Sequence, residues 1–301
     1  MGVCLAWPHD RTLIPSPTIA GETSRPVSDR VAGIRLRLWG VRGGIATPGA
    51  ETVRYGGNTA CVELRCGPHL LILDAGTGLR GLGRKLAGEA GPVVADLLIS
   101  HPHLDHICGL PFFQPHFDPT ARFRVWGAGT LRQALKASWS PPLMPELTKA
   151  FQASITYHLF APGDGFTLHP GLTVRTAALC HPGGATGYRV EWGGRSVAYV
   201  TDTEHPAGGG IDANIAGLID RADLVLYDSS YTDAEYPSRM GWGHSTWQEA
   251  IRLADAARVG KLLLFHHDPS HADDFLDSVA VAAADRRPGT EVAREGTEYL
   301  L

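Results

Sequence analysis

The sequence predicts an α/β fold in which two sheets pack together with helices outside. Three observations point there. From Ile34 onward, strand-length apolar runs recur and glycine turns separate them. Segments with helical periodicity fall between these runs. The succession of strands closed by helices occurs once in each half of the chain, which suits a layered sandwich. With 301 residues, 44% of them apolar and 19% charged, the chain can bury the core such layers need.

The elements follow in order. Residues 1–33 are rich in Pro, Ser, Thr and charge and lack periodicity, so they are expected to be an extension outside a main domain spanning 34–301. "IRLRLWG" alternates as a strand, and "NTACVELRC" and "HLLILDAG" continue the pattern. "GLRGLGRKLAGE" reads as a helix and "PVVADLLIS" as a buried strand. Strand "RFRVWG", helix "TLRQALKASW" and the proline-rich loop "SPPLMPE" close the first half. The second half gives strands "GLTVRTAAL", "TGYRVEW", "RSVAYVTD" and "ADLVLYDSS", then helix "STWQEAIRLADAARVG" and strand "KLLLFHH".

Composition excludes some functions. With 27 Lys and Arg against 31 Asp and Glu, the net charge is −4, which argues against binding long nucleic acid through bulk positive charge. The apolar runs are too short for a membrane helix, and the N-terminus makes a poor signal peptide or myristoylation site. Five cysteines (Cys4, Cys61, Cys66, Cys108, Cys180) are odd in number and form no CxxC pair, so reduced thiols in the cytoplasm are expected.

The chemistry concentrates in "ISHPHLDHICGL", residues 99–110. His101 and His103 are two apart at the end of a strand, so their side chains point the same way. After the turn, Asp105 and His106 can approach the same point from another side. Imidazole and carboxylate suit a divalent ion such as zinc. Four such residues exceed what one open catalytic ion uses, and a pair of ions about 3.5–4 Å apart fits better.

HPHLDH matches the HxHxDH signature of the metallo-β-lactamase superfamily, and the resemblance runs from about Ile34 to near the C-terminus. It implies an αβ/βα sandwich with the site between the sheets. Further motifs follow in the family's order. "LDAGTG" presents Asp74 as a buried supporting carboxylate, "LCHPGG" presents His181, "YVTDTEH" presents Asp202, and "LLLFHHDP" presents His266. The implied ligands are His101, His103, His181 and Asp202 for one ion and Asp105, His106, Asp202 and His266 for the other. Zinc is the first choice of ion, with manganese or iron as alternatives. Because the strand before it is apolar throughout, alternation does not choose between His266 and its neighbour His267.

"ADLVLYDSSYTDAEY…GHSTWQEA" resembles the segment of ribonuclease Z and its phosphodiesterase relatives where an acidic residue and the histidine of an HST motif cooperate. Here these are Asp228 and His244. Ser245 or Thr246 is placed to cap the next helix, with Gln248 or Glu249 completing a capping box, and the helix end is expected to face a phosphate beside His244. Ribonuclease Z carries a long tRNA arm between the motifs matching His181 and Asp202, whereas here only "PGGATGYRVEWGGRSVAYVT" fills that interval. Arg42 or Arg54 is in reach of a phosphate or else a solvated turn residue. Phe112, Phe113, Trp139 and Met144 either roof the pocket or belong to the core.

The expectation is a dinuclear phosphodiesterase acting on small diesters, cyclic nucleotides among them. The ions generate a hydroxide near neutral pH, and Asp202 bridges them. His244, oriented by Asp228, donates a proton to the leaving oxygen. The rivals are a lactone or carboxylic ester hydrolase and a metal-stabilised regulatory module without turnover. The expected partner is a small phosphodiester, with no long nucleic acid and no membrane, and a homodimer stays open.

Overall fold

The computed structural model describes residues 33–145, 149–206 and 210–301. The expected extension, apart from Gly33, and Cys4 lie outside the described residues.

β1 (Ile34–Gly40) buries Ile34, Leu36 and Leu38 and exposes Arg35, the alternation of a strand with one wet face. β2 (Cys61–Cys66) and β3 (His69–Leu73) pair beside it as a hairpin. α1 (Gly78–Ala87) then crosses to β4 (Val94–Leu98), which is parallel to β3. The single-turn α2 (Leu104–Ile107) follows, and β5 (Arg122–Ala128), α3 (Leu131–Ser138) and β6 (Ser154–Phe160) extend the parallel pairing.

The second half begins as an antiparallel meander of β7 (Gly165–His169), β8 (Leu172–Leu179), β9 (Ala185–Trp192) and β10 (Arg195–Val200). Three crossovers then add parallel strands. α4 (Ala213–Ile219) leads to β11 (Leu224–Asp228), α5 (Trp247–Ala256) to β12 (Lys261–Phe265), and α6 (Asp273–Arg286) to β13 (Glu291–Val292). β14 (Glu298–Leu300) returns to the first half and pairs with β1.

The result is two seven-stranded sheets, ordered β14-β1-β2-β3-β4-β5-β6 and β13-β12-β11-β10-β9-β8-β7. Between them lies one apolar layer, with Leu36, Leu64 and Leu71 from the first sheet against Tyr188, Leu226 and Phe265 from the second. α1 and α3 cover the outer face of the first sheet through Leu79, Leu82 and Leu135. α4, α5 and α6 cover the second through Ile215, Ile251 and Leu276. This is the expected four-layer αβ/βα sandwich. β11 is buried along its whole length and β12 from Leu262 on, as strands covered on both faces must be.

One edge of the sandwich gathers the residues that end these strands. Asp74 follows β3, His101 lies just beyond β4, His181 just beyond β8, Asp202 just beyond β10, and His266 follows β12. Asp74, Asp202 and His266 have φ of 56°, 56° and 62°, in the left-handed region that side-chain-bearing residues seldom adopt. At these three points the strand is bent sharply, and each side chain is turned toward the shared edge.

Candidate metal centre

The predicted residues meet in two groups. His101, His103 and His181 place ring nitrogens within 4.8 Å of one another, and so do the ligand atoms of Asp105, His106 and His266. Asp202 stands between the groups. Its Oδ1 lies 3.8 Å from His101 Nε2 and 3.7 Å from His181 Nε2. Its Oδ2 lies 3.2 Å from His106 Nε2 and 3.3 Å from His266 Nε2. One carboxylate therefore offers an oxygen to each group.

The structure separates the two adjacent histidines. His266 reaches the cluster, with Nε2 3.3 Å from both Asp105 Oδ2 and His106 Nε2. His267 points elsewhere and bonds the Ala293 carbonyl through Nε2 at 2.9 Å. Gly43 matters here, because a Cβ on it would sit 2.2 Å from the His266 ring. Gly44 N–H donates to Asp105 Oδ2 at 2.8 Å.

Around these groups a second tier fixes orientation. Asp74 is fully buried and accepts four hydrogen bonds: from Ser100 N–H and Oγ (both 2.7 Å), Tyr199 OH (2.8 Å) and His106 Nδ1 (2.7 Å). With Nδ1 donating, His106 presents Nε2 as a lone pair. His181 donates Nδ1–H to the Gly243 carbonyl at 2.8 Å with the same result. Asp74→Asn is expected to keep the fold yet lower metal affinity about 10- to 100-fold, read by chelator competition. Unchanged affinity would confine Asp74 to a folding role.

Electrostatics favour a cation. Burial, joined by neighbouring imidazoles, holds His101 and His103 below the ordinary histidine range, and burial brings His181 down to about 4. These three rings are neutral near pH 7 and offer lone pairs. Burial works against a charge on His106, but Asp202, Asp105 and Asp74 outweigh it and raise its pKa. Burial likewise opposes ionised Asp105 and Asp202, and the facing histidines overcome it and hold both well below the usual carboxylate range.

The residues fit divalent ions. His101 Nε2 is buried without a hydrogen-bond partner, an expensive arrangement unless a ligand completes it. His103 Nδ1 and His181 Nε2 face each other at 3.1 Å, and His106 and His266 face each other through Nε2 at 3.3 Å. Converging imidazole nitrogens with carboxylates between them are the donor set of a divalent-metal site.

His244 and Asp228 stand beside the second group. Asp228 is fully buried and accepts from His244 Nδ1 at 2.9 Å, from Thr203 N–H, and from the N–H and hydroxyl of Ser230. The His244 ring stacks on His266, with centroids 5.0 Å apart. Burial disfavours its charged form, but Asp228 and then Asp202 and Asp105 prevail and push its pKa up to about 9.

Several expectations are corrected. Thr246 caps α5 by accepting from Glu249 N–H at 3.0 Å, but the Glu249 carboxylate pairs with Arg252 instead of completing a capping box. Trp247 N–H donates to the Tyr231 carbonyl at 3.1 Å, so this first-turn donor is already used within the fold. Arg42 is fully buried and holds the carbonyls of Gly56, Asp268 and His271. Arg54 pairs with Asp274 and Asp277. Phe113 and Trp139 belong to the core under α1 and α3 and do not roof the pocket, whereas Phe112 is exposed. The described cysteines, Cys61, Cys66, Cys108 and Cys180, form no disulfide.

Comparison with known proteins identifies the family. The model of the beta-lactamase superfamily domain matches residues 69–267. The chain belongs to the metallo-β-lactamase superfamily of hydrolases. It is 27% identical to the uncharacterized protein Rv1339 of Mycobacterium tuberculosis over 264 residues, covering 85% of this chain and 88% of that one. It is 29% identical to ribonuclease Z of an Exiguobacterium species over 252 residues, covering 69% of this chain and 82% of that one. The crystal structure of a diphosphatase from the PhnP family superposes with a TM-score of 0.67 at 16% identity, covering 89% of this chain and 97% of that one.

Proposed function

We propose that the chain is a dinuclear metal-dependent phosphodiesterase that cleaves small phosphodiesters, working in the cytoplasm with zinc as its ions. The observation that carries this reading is Asp202, with one oxygen toward each ligand group, beside a His244–Asp228 pair that can handle a proton. His101, His103 and His181 would hold one ion, Asp105, His106 and His266 the other, with Asp202 between them. Such a pair supplies Lewis acidity at a phosphoryl oxygen and brings the pKa of water down toward about 7.

The chain's own residues do the rest. His244, hydrogen-bonded through Nδ1 to the buried Asp228, keeps Nε2 free to protonate the departing oxygen. Asp228, held by Thr203 and Ser230, fixes the ring's direction. A small substrate suits the surroundings. The interval between His181 and Asp202 is taken up by the β9–β10 hairpin, which leaves no segment there for a tRNA arm. Trp242 and Met240, both more than half exposed, precede His244, and Leu104, also exposed, lies between His103 and Asp105. Exposed apolar residues next to the site residues in sequence suit an anionic substrate that carries an apolar or planar substituent.

The test is kcat/KM on metal-analysed protein across an activated aryl phosphodiester, a cyclic nucleotide, an aryl phosphomonoester, a lactone and a tRNA precursor. The diesters are expected to be the best substrates and the precursor is expected to stay uncut at its 3′ end. A lactone turned over faster than either diester would replace this reading with ester hydrolysis. No turnover of any substrate by fully metallated protein would favour a regulatory module.

A further inference from the structure

We propose that Glu204 is a positioning residue for the metal site, acting through His181. The proposal rests on the reading of His101, His103 and His181 as ligands.

His181 sits in the loop after β8, and its ring direction is set by one bond, from Nδ1–H to the Gly243 carbonyl at 2.8 Å. That bond decides which nitrogen is left to bind metal. The carbonyl is only as well placed as the segment carrying it. Residues 236–243 contain one 3-10 turn, Tyr236–Ser238, and no strand. Gly243 has φ +81°, and a Cβ there would lie 2.3 Å from His181 Nδ1, so this backbone is pressed against the ring.

Glu204 is what fastens the segment. Its Oε1 accepts from the Tyr236 hydroxyl and from Gly241 N–H, both at 2.8 Å. Its Oε2 accepts from Gly241 N–H and Gly243 N–H, both at 3.0 Å. Its own N–H donates to the Cys180 carbonyl at 2.7 Å. One residue thus grips His181 from both sides: its backbone holds the preceding peptide, and its carboxylate holds the glycine that receives the ring's proton. A carboxylate suits this place because it accepts several N–H and O–H bonds at once, with charge assistance. A glutamine would aim its own N–H group at donors and lose part of the grip.

The experiment is a cycle of Glu204→Ala, His181→Ala and the double variant, with metal affinity read by chelator competition on protein checked by circular dichroism. Glu204→Ala is expected to weaken metal binding about 10- to 100-fold. Added to His181→Ala it should cost nothing further. It should also speed tryptic cleavage after Arg239, inside the released segment. Glu204→Gln should show a smaller loss, and it carries the test alone if the alanine variant does not fold. Wild-type affinity in both Glu204 variants, or an equal loss with and without His181, would overturn the proposal. Unchanged affinity in His181→Ala would instead remove the metal reading of this group, and the proposal with it.

Discussion

Asp202→Ala is expected to empty both metal positions and abolish turnover. The side chain lies 3.7–3.8 Å from two imidazoles on one side and 3.2–3.3 Å from two on the other, so its removal opens both groups at once. Its loss leaves convergent histidines without the negative charge that offsets two cations. The lowering of water's pKa from about 15.7 to about 7 that bound ions provide would go with them, so a rate loss of at least about 10⁴-fold is expected. Asp202→Asn is the companion variant, keeping shape while removing charge. Elemental analysis and kcat on the same preparations decide the matter. Two ions per chain retained in the alanine variant would sink the bridging role.

His244→Ala is expected to keep its metal and lose rate according to the leaving group. His244 touches Asp228 and stacks on His266, while His101, His103 and His181 on one side of Asp202 and Asp105, His106 and His266 on the other each converge without it. General acid catalysis contributes about 10²–10⁴-fold and matters most when the departing oxygen is a strong base. A nitrophenolate departs without help, whereas the alkoxide of a cyclic nucleotide does not. The alkoxide substrate should therefore suffer the large loss and the aryl diester a small one. Asp228→Asn should show a weaker form, because it leaves the imidazole in place and disturbs only its orientation. Equal losses on both substrates would reduce His244 to holding phosphate, and no loss on either would make it a structural residue.

Much of the candidate site was legible because its candidate ligands stand at the ends of apolar strands, where a polar residue has to leave the core. HPHLDH after β4 and "YVTD" at the end of β10 are of this kind. The choice between His266 and His267 was legible only through the resemblance, not through periodicity. The end of β12 is buried on both faces, so alternation carries no information, and only the backbone turn at His266 sends one ring inward. Glu204 and Gly243 escaped notice because their roles depend on loops 39 residues apart meeting at a histidine. Arg42 misled because an arginine is usually exposed, and this one spends its donors on backbone carbonyls in the interior. Among the elements, α6 carries an alanine-rich stretch with little contrast between its faces, and β13 and β14 are two and three residues long, too short for any period to register.

The left-handed turns at Asp74, Asp202 and His266 bear on how mutational data from this protein are to be read. Asparagine tolerates that conformation nearly as well as aspartate, whereas alanine or a β-branched residue adds backbone strain of about 1–3 kcal/mol. At residues 74 and 202 an Asn variant therefore isolates the lost charge, and an Ala variant mixes it with a conformational penalty unrelated to chemistry. Glycine would relax the same turns while deleting the ligand, so a glycine variant that melts higher than its alanine counterpart at any of these residues would measure how much foldedness the chain gives up to aim its side chains.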